Sequence, residues 1–191
     1  MKKDIIFAGV GGQGIISIAA MLTSALMKKG FKCKQTEVHG MSQRGGDVSC
    51  GVRFSTDEIF SDIIPRGGAD IILATEPMEA LRFTDFLRDG GVVISANQPV
   101  KNIPYPELGD MLATIKKIPN SIVVDTEKLT VELKNPRVMN IAMLAALIKV
   151  LGMEDVREML VADIKKRFAA KGDSVIEANI KAIDFGMNSV C

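Results

Sequence analysis

Residues 4–9 (DIIFAG) form a short apolar run ending in glycine, and residues 15–27 (IISIAAMLTSALM) form a second apolar run of helical length. Between them stands VGGQG (10–14). A buried strand that turns on glycines straight into a helix commits a chain to a strand–helix unit of an α/β sheet. In that setting Gly9, Gly11 and Gly14 fit the GxGxxG spacing. Such glycines permit a tight turn and let backbone amides close on a phosphate at the positive end of the helix. They also serve simply to pack a helix against a strand. Gly12 shares the turn, and Gln13 adds a side-chain amide suited to an anion or a carbonyl.

A dinucleotide site needs, in addition, an acidic residue near the end of the second strand to hold a ribose, and Glu37 stands there. The residues just beyond Glu37 speak against that ligand. His39, Gly40 and the Arg44-Gly45-Gly46 turn would bring a bulky, charged loop over the adenosine half of the site.

The rest of the chain continues the alternation. Residues 32–38 (KCKQTEV) alternate as a second strand, and Gly30 is placed to cap the first helix. Val48, Cys50, Val52 and Phe54 are spaced by two, which gives a third strand one apolar face. DIILAT (70–75), GGVVISA (90–96) and SIVVDT (121–126) read as further strands, with Pro77 at a helix start. NQPVKNIPYPELGD (97–110), with its prolines, reads as a long surface connection. Beyond Pro136 the pattern is helical: RVMNIAMLAALIKVLG (137–152) is apolar nearly all round and therefore buried, while MEDVREMLVADIKKRF (153–168) and SVIEANIKAIDFG (174–186) are amphipathic. The expected fold is α/β, a Rossmann-like, mostly parallel sheet flanked by helices, with a helical C-terminal part. It forms a single domain over 1–191, with the sheet in 1–135 and the helical part in 136–191.

Composition removes several functions. At 191 residues the chain can bury a real core. Lys and Arg number 24 against 23 Asp and Glu, so there is no electrostatic case for nucleic acid or an anionic membrane. Trp is absent and Tyr occurs once, which argues against base stacking. The 11 Met favour an adaptable partner surface. Cys33, Cys50 and Cys191 are odd in number and form no CxxC pair, which fits neither a disulfide framework nor a zinc or iron–sulfur site. Free thiols point to a reducing, cytoplasmic home. No signal peptide is expected, since MKKD runs straight into the first strand, and the apolar stretch 15–27 is too short to span a bilayer.

HGMSQRGGDVSCGVRF (39–54) holds the chain's only histidine. His39 has a ring suited to proton transfer near neutral pH, or it hydrogen-bonds its own loop. As a lone histidine without an acidic or thiol cluster it makes no zinc site. Ser42 lacks the GxSxG setting of a hydrolase nucleophile. Arg44 beside two glycines can lay its planar fork on a phosphate or carboxylate while backbone amides join it. Otherwise it is a surface arginine in a turn. Clustering with the first glycine turn at the C-terminal edge of one sheet favours a functional role.

The pair GVGGQGI (9–15) and HGMSQRGGDVSCGVRF (39–54), with RVMNIAMLAALIKVLG (137–152) and KGDSVIEANIKAIDFG (171–186) in order after them, resembles the small, gamma-type domain of the 2-oxoacid:ferredoxin oxidoreductases over essentially the whole chain. The wording HGMSQRGG looks most like the indolepyruvate branch. The resemblance implies a Rossmann-like sheet without NAD chemistry, in a complex that decarboxylates an aryl 2-oxoacid oxidatively, joins the acyl group to coenzyme A and passes electrons to ferredoxin. It implies a large alpha subunit as partner, carrying thiamine diphosphate, magnesium and the [4Fe–4S] clusters. In keeping with this, the chain lacks the GDG-led acidic motif by which thiamine enzymes hold magnesium. For the chain itself the resemblance implies no catalytic residue and no resident metal. Gly9, Gly11, Gly12, Gln13, Gly14 and Arg44 become candidates to receive the phosphates of coenzyme A. The loop His39, Gly40, Met41, Ser42, Gln43, Arg44, Gly45, Gly46 becomes the edge that docks on the partner. The small subunit of another 2-oxoacid:ferredoxin oxidoreductase, a purely structural subunit and a free-standing dinucleotide-binding protein are the competing readings.

Overall fold

A computed structural model describes residues 1–40 and 45–190. Met41, Ser42, Gln43 and Arg44, which carry part of the expected docking edge, and Cys191 lie outside the described residues. Among the described residues six strands form one sheet: β1 (Lys2–Val10), β2 (Lys32–His39), β3 (Asp47–Ser55), β4 (Ala69–Ala74), β5 (Leu87–Ala96) and β6 (Ser121–Val124). Their order is β2-β3-β1-β4-β5-β6. β1, β4, β5 and β6 pair in parallel, as the alternation of strands and helices demands. β3 is the exception, antiparallel to both β1 and β2. The cause is local: the connection from β2 to β3 is far shorter than the dozen or so residues a parallel crossover requires.

Among the described residues seven α-helices accompany the sheet: α1 (Ile15–Lys28), α2 (Pro77–Arg82), α3 (Leu108–Lys116), α4 (Thr126–Glu132), α5 (Met139–Val150), α6 (Val156–Phe168) and α7 (Asp173–Asn188). Strand alternation sorts the core into two layers. Ile5, Phe7, Ile71, Leu73 and Ile94 face α1 and α5. Ile6, Ala8, Ile72, Ala74 and Val93 face the opposite side, where Ala80 of α2 and Ile115 of α3 close over them. The first helix ends as expected. Gly30, at φ +87°, donates to Met27 O and Phe31 N donates to Leu26 O, which closes the last turn on a left-handed glycine.

Two sequence expectations shift. The connection after β5 ends at Leu108, where α3 begins, so its last residues are helical. Helical structure also resumes at Thr126, before Pro136: Asp125 accepts from Lys128 N and caps α4, a short helix with too few turns to leave a periodic signature. α5 is buried nearly all round because it lies between the sheet and α7. α7 approaches so closely that a Cβ on Gly186 would run into the backbone carbonyl of Ala142.

On the sheet itself, Asp4 of β1 and Arg53 of β3 stand directly opposite in register. Arg53 Nε and Nη2 donate to the two Asp4 oxygens at 2.8 and 2.9 Å, and both side chains are about nine-tenths buried. Arg53 Nη1 reaches on to the carbonyls of Ser61 and Ile63, which pins the segment leading to β4.

Candidate functional site

The glycine turn sits where parallel β1 and β4 end, the edge at which open α/β sheets bind ligands. Its conformation is imposed by its neighbours. A Cβ on Gly9 would strike the Thr75 hydroxyl and come within 2.8 Å of Ile15 and 2.9 Å of Gln13. Gly14 caps α1 at φ +78°, and a Cβ there would meet the side-chain amide nitrogen of Asn140 on α5. Gly12 is also left-handed, at φ +102°, with open space above it. The first-turn amides of α1 have no intrahelical partners and are oriented toward the turn.

Gln13, which also borders the cleft toward Asn140, is hydrogen-bonded within the chain. Its Oε1 accepts from Val10 N and from the Thr75 hydroxyl, both at 2.8 Å, and its Nε2 donates to Thr75 O at 3.1 Å. The amide is spent inside the chain, locking the turn to the end of β4.

The two loops singled out in the sequence do meet. Gly11 N donates to Gly46 O at 2.8 Å, and Gly45 N donates to Gly11 O at 3.3 Å. Gly45 is left-handed, at φ +80°, and its carbonyl accepts from the Asn102 side chain, so the 97–107 connection braces the same point. His39 and Gly40 are exposed, and His39 Nδ1 lies 3.3 Å from Gly40 O, within its own loop. Among the described residues no carboxylate lies within hydrogen-bond distance of the His39 ring.

Three clefts open around this junction. The first, about 360 Å³, lies over Gly11, Gly12 and Gly14 and is bordered by Glu37 and His39. Glu37 reaches it from β2, with β3 interposed, whereas a dinucleotide fold sets the acidic strand beside β1. The second, about 180 Å³, lies behind Gly45 and Gly46 and holds Glu76, Glu79, Arg82 and Tyr105. Glu76 is fully buried; it accepts from Glu79 N at 2.9 Å, capping α2, and from the Tyr105 hydroxyl. Burial, and then the Glu76 carboxylate, push the Tyr105 phenol upward. Burial also raises Glu79, against the pull of Arg82 at 2.9 Å. The third, about 450 Å³, lies between Gly12, Gly14, Gln98, Arg137 and Asn140.

Among the described residues no group of three or more His, Cys, Asp or Glu is placed to hold a metal ion. Burial pushes Cys33 up to about 11, and burial together with Glu37 pushes Cys50 up to about 12, so neither is a ready thiolate. No described helix is long and apolar enough to cross a membrane.

Residues 4–189 match the family described as pyruvate ferredoxin/flavodoxin oxidoreductase. The chain belongs to this family. Among its relatives in the pyruvate ferredoxin/flavodoxin oxidoreductase family are the indolepyruvate oxidoreductase subunits IorB of Pyrococcus horikoshii and Thermococcus kodakarensis. Each is 34% identical over 99% of this chain and 96% of its own. In fold, the chain is similar to the 2-oxoglutarate:ferredoxin oxidoreductase of Magnetococcus marinus, solved with 2-oxoglutarate, coenzyme A and succinyl-CoA bound. The TM-score is 0.76 at 20% identity, over 98% of this chain and 31% of that longer chain.

Sequence reading missed Thr75, Glu76, Asn102, Tyr105, Arg137 and Asn140. The first two carried a usable signal: polar residues directly after an apolar strand, at the ligand-binding end of a parallel sheet. Arg137 and Asn140 come after Pro136 at a helix start, a position recognisable as a helix N-terminus but not as a neighbour of Gly14.

Proposed function

We propose that this chain is the small subunit of an indolepyruvate:ferredoxin oxidoreductase in the cytoplasm. The observation that carries the reading is the end-to-end similarity to indolepyruvate oxidoreductase subunits, at 34% identity. The complex takes an aryl 2-oxoacid. The bond to the carboxylate breaks and releases carbon dioxide, the acyl carbon joins the coenzyme A sulfur, and the electrons set free pass to ferredoxin. The large partner subunit holds thiamine diphosphate, magnesium and the [4Fe–4S] clusters, and supplies that chemistry. This chain contributes binding and positioning: the Gly9–Gly14 turn and Arg44 receive the phosphates of coenzyme A, and the His39–Gly46 loop docks at the edge of the partner's active site.

Two observations support the assignment of roles. The two loops are joined by backbone hydrogen bonds at the ligand-binding edge, so docking one positions the other. Val38, Phe60 and Ile63 are 66%, 91% and 67% exposed, an apolar surface beside a groove of about 590 Å³ that a larger subunit would cover.

Co-expression with the large subunit, purification without oxygen, and assay on indolepyruvate, coenzyme A and ferredoxin test the reading. The expected result is a brown complex with coenzyme A-dependent ferredoxin reduction, in which Arg44→Ala raises the KM for coenzyme A. A colourless lone protein, recovered repeatedly, would overturn it. Assembly lost on changing the His39–Gly46 loop, with normal coenzyme A kinetics in whatever complex survives, would reduce the loop to an interface.

A further inference from the structure

The connection from β5 to α3 crosses the ligand-binding edge as a stiff strap anchored at both ends. Its prolines, Pro99, Pro104 and Pro106, fix their own φ and bias the residues before them, Gln98, Ile103 and Tyr105, toward extended backbone. At one end Asn97 donates to Asp125 Oδ1 at 2.7 Å and accepts from the Thr126 hydroxyl and from Glu127 N, both at 3.1 Å. At the other end Tyr105, the only tyrosine of the chain, donates to Glu76. Glu76 is itself a fixed point, buried just past the end of β4 and accepting from Glu79 N.

Between these anchors the side-chain amide of Asn102 reaches across and donates to the Gly45 carbonyl. Gly45 and Gly46 carry no side chains to set their own backbone, so the end of the loop takes its shape from outside restraints. On one side the glycine turn supplies them, through Gly11. On the other side lies the cleft of about 180 Å³, so hydrogen bonding rather than packing holds the loop from that direction. The Asn102 side chain is exposed and has no other hydrogen bond among the described residues. Such a side chain adds little to the stability of a fold. What it fixes is the position of Gly45.

We infer that Asn102 and Tyr105 are positioning residues that act through Gly45: the strap holds the Gly45–Gly46 end of the loop in the form that the large subunit receives. This rests on the docking reading above and deepens it, by naming what keeps the docking element ready. Ordering a free loop on association costs affinity, and a loop already held in place avoids that cost. Tyr105 supplies the fixed point and Asn102 the contact. Because both lie on one stiff stretch of backbone, losing either frees the same end of the loop.

The test measures the dissociation constant of the full chain for its large subunit, without oxygen, beside the urea unfolding midpoint of the chain alone. Asn102→Ala removes the contact, Asn102→Asp keeps its shape and removes the donor, and Tyr105→Phe removes the anchor. Each is expected to weaken association about fivefold, the worth of one hydrogen bond, while the two Asn102 variants keep the wild-type midpoint. Asn102→Ala combined with Tyr105→Phe is expected to bind no more weakly than the weaker single variant, since two changes to one element do not add. Wild-type affinity in both Asn102 variants, with assembly lost when residues 41–43 are replaced by glycine, would overturn the strap and leave the docking reading standing. Assembly that withstands that replacement would overturn both. An affinity and a midpoint that fall together in Asn102→Ala, or losses that add in the double variant, would overturn the positioning role and leave only a brace of the fold.

Discussion

Gln13 and Thr75 hold each other from both ends: the Thr75 hydroxyl donates to Gln13 Oε1 at 2.8 Å, and Gln13 Nε2 donates back to the Thr75 carbonyl at 3.1 Å. With Val10 N as a third partner, one amide ties the end of β1, the glycine turn and the end of β4 together. Gln13→Ala strands all three groups. The expected loss is roughly 1–3 kcal/mol of stability, since groups left unpaired carry their desolvation cost. Denaturant unfolding of the chain measures it. An unchanged midpoint would return Gln13 to the role of ligand contact.

Gly14→Ala and Gly186→Ala test two kinds of close approach. At Gly14 a methyl meets the Asn140 side chain, on top of left-handed strain of about 1 kcal/mol. Adding Asn140→Ala should recover the steric part and leave the strain. At Gly186 the methyl meets the backbone carbonyl of Ala142, which no side-chain change can move aside. Gly186→Ala should cost about 1–3 kcal/mol, and Asn140→Ala, at a different helix contact, should restore none of it. Melting temperatures of the single and double variants decide this.

Arg53→Met leaves Asp4 buried and unpaired and frees the carbonyls of Ser61 and Ile63. Breaking a buried pair by removing one partner costs about 3–5 kcal/mol. Limited proteolysis should then cut between β3 and β4 first. Cleavage elsewhere, with that segment still protected, would show that Arg53 does not pin it.

Glu79 gives a pH-dependent expectation. Burial raises its folded pKa above the unfolded value, so its contribution favours folding while it is protonated and is lost as pH rises through the folded pKa. Glu79→Gln should therefore gain stability relative to wild type between about pH 4, near the ordinary glutamate value, and about pH 8. Unfolding midpoints at the two pH values read this directly. A gain that shrinks with rising pH would mean that the Arg82 ion pair outweighs desolvation.

Local pattern determined a large part of this protein. DIIFAG–VGGQG–helix, the two-residue spacing of Val48 to Phe54 and the apolar 137–152 stretch each specify an element, because strand pleat, helix pitch and glycine turns act over a few residues. The wording of the two glycine loops also placed the chain in its family. The tertiary structure decided the rest. It set β3 between β1 and β2, because a short connection returns antiparallel and β1 offers the free edge. It joined Gln13 to Thr75, a partner some sixty residues away that the sequence pattern does not show. It carried Arg137 and Asn140 to the far side of Gly14, across more than a hundred residues of chain. Contacts of that kind depend on how whole layers pack, and packing leaves no periodic trace in the residues that make them.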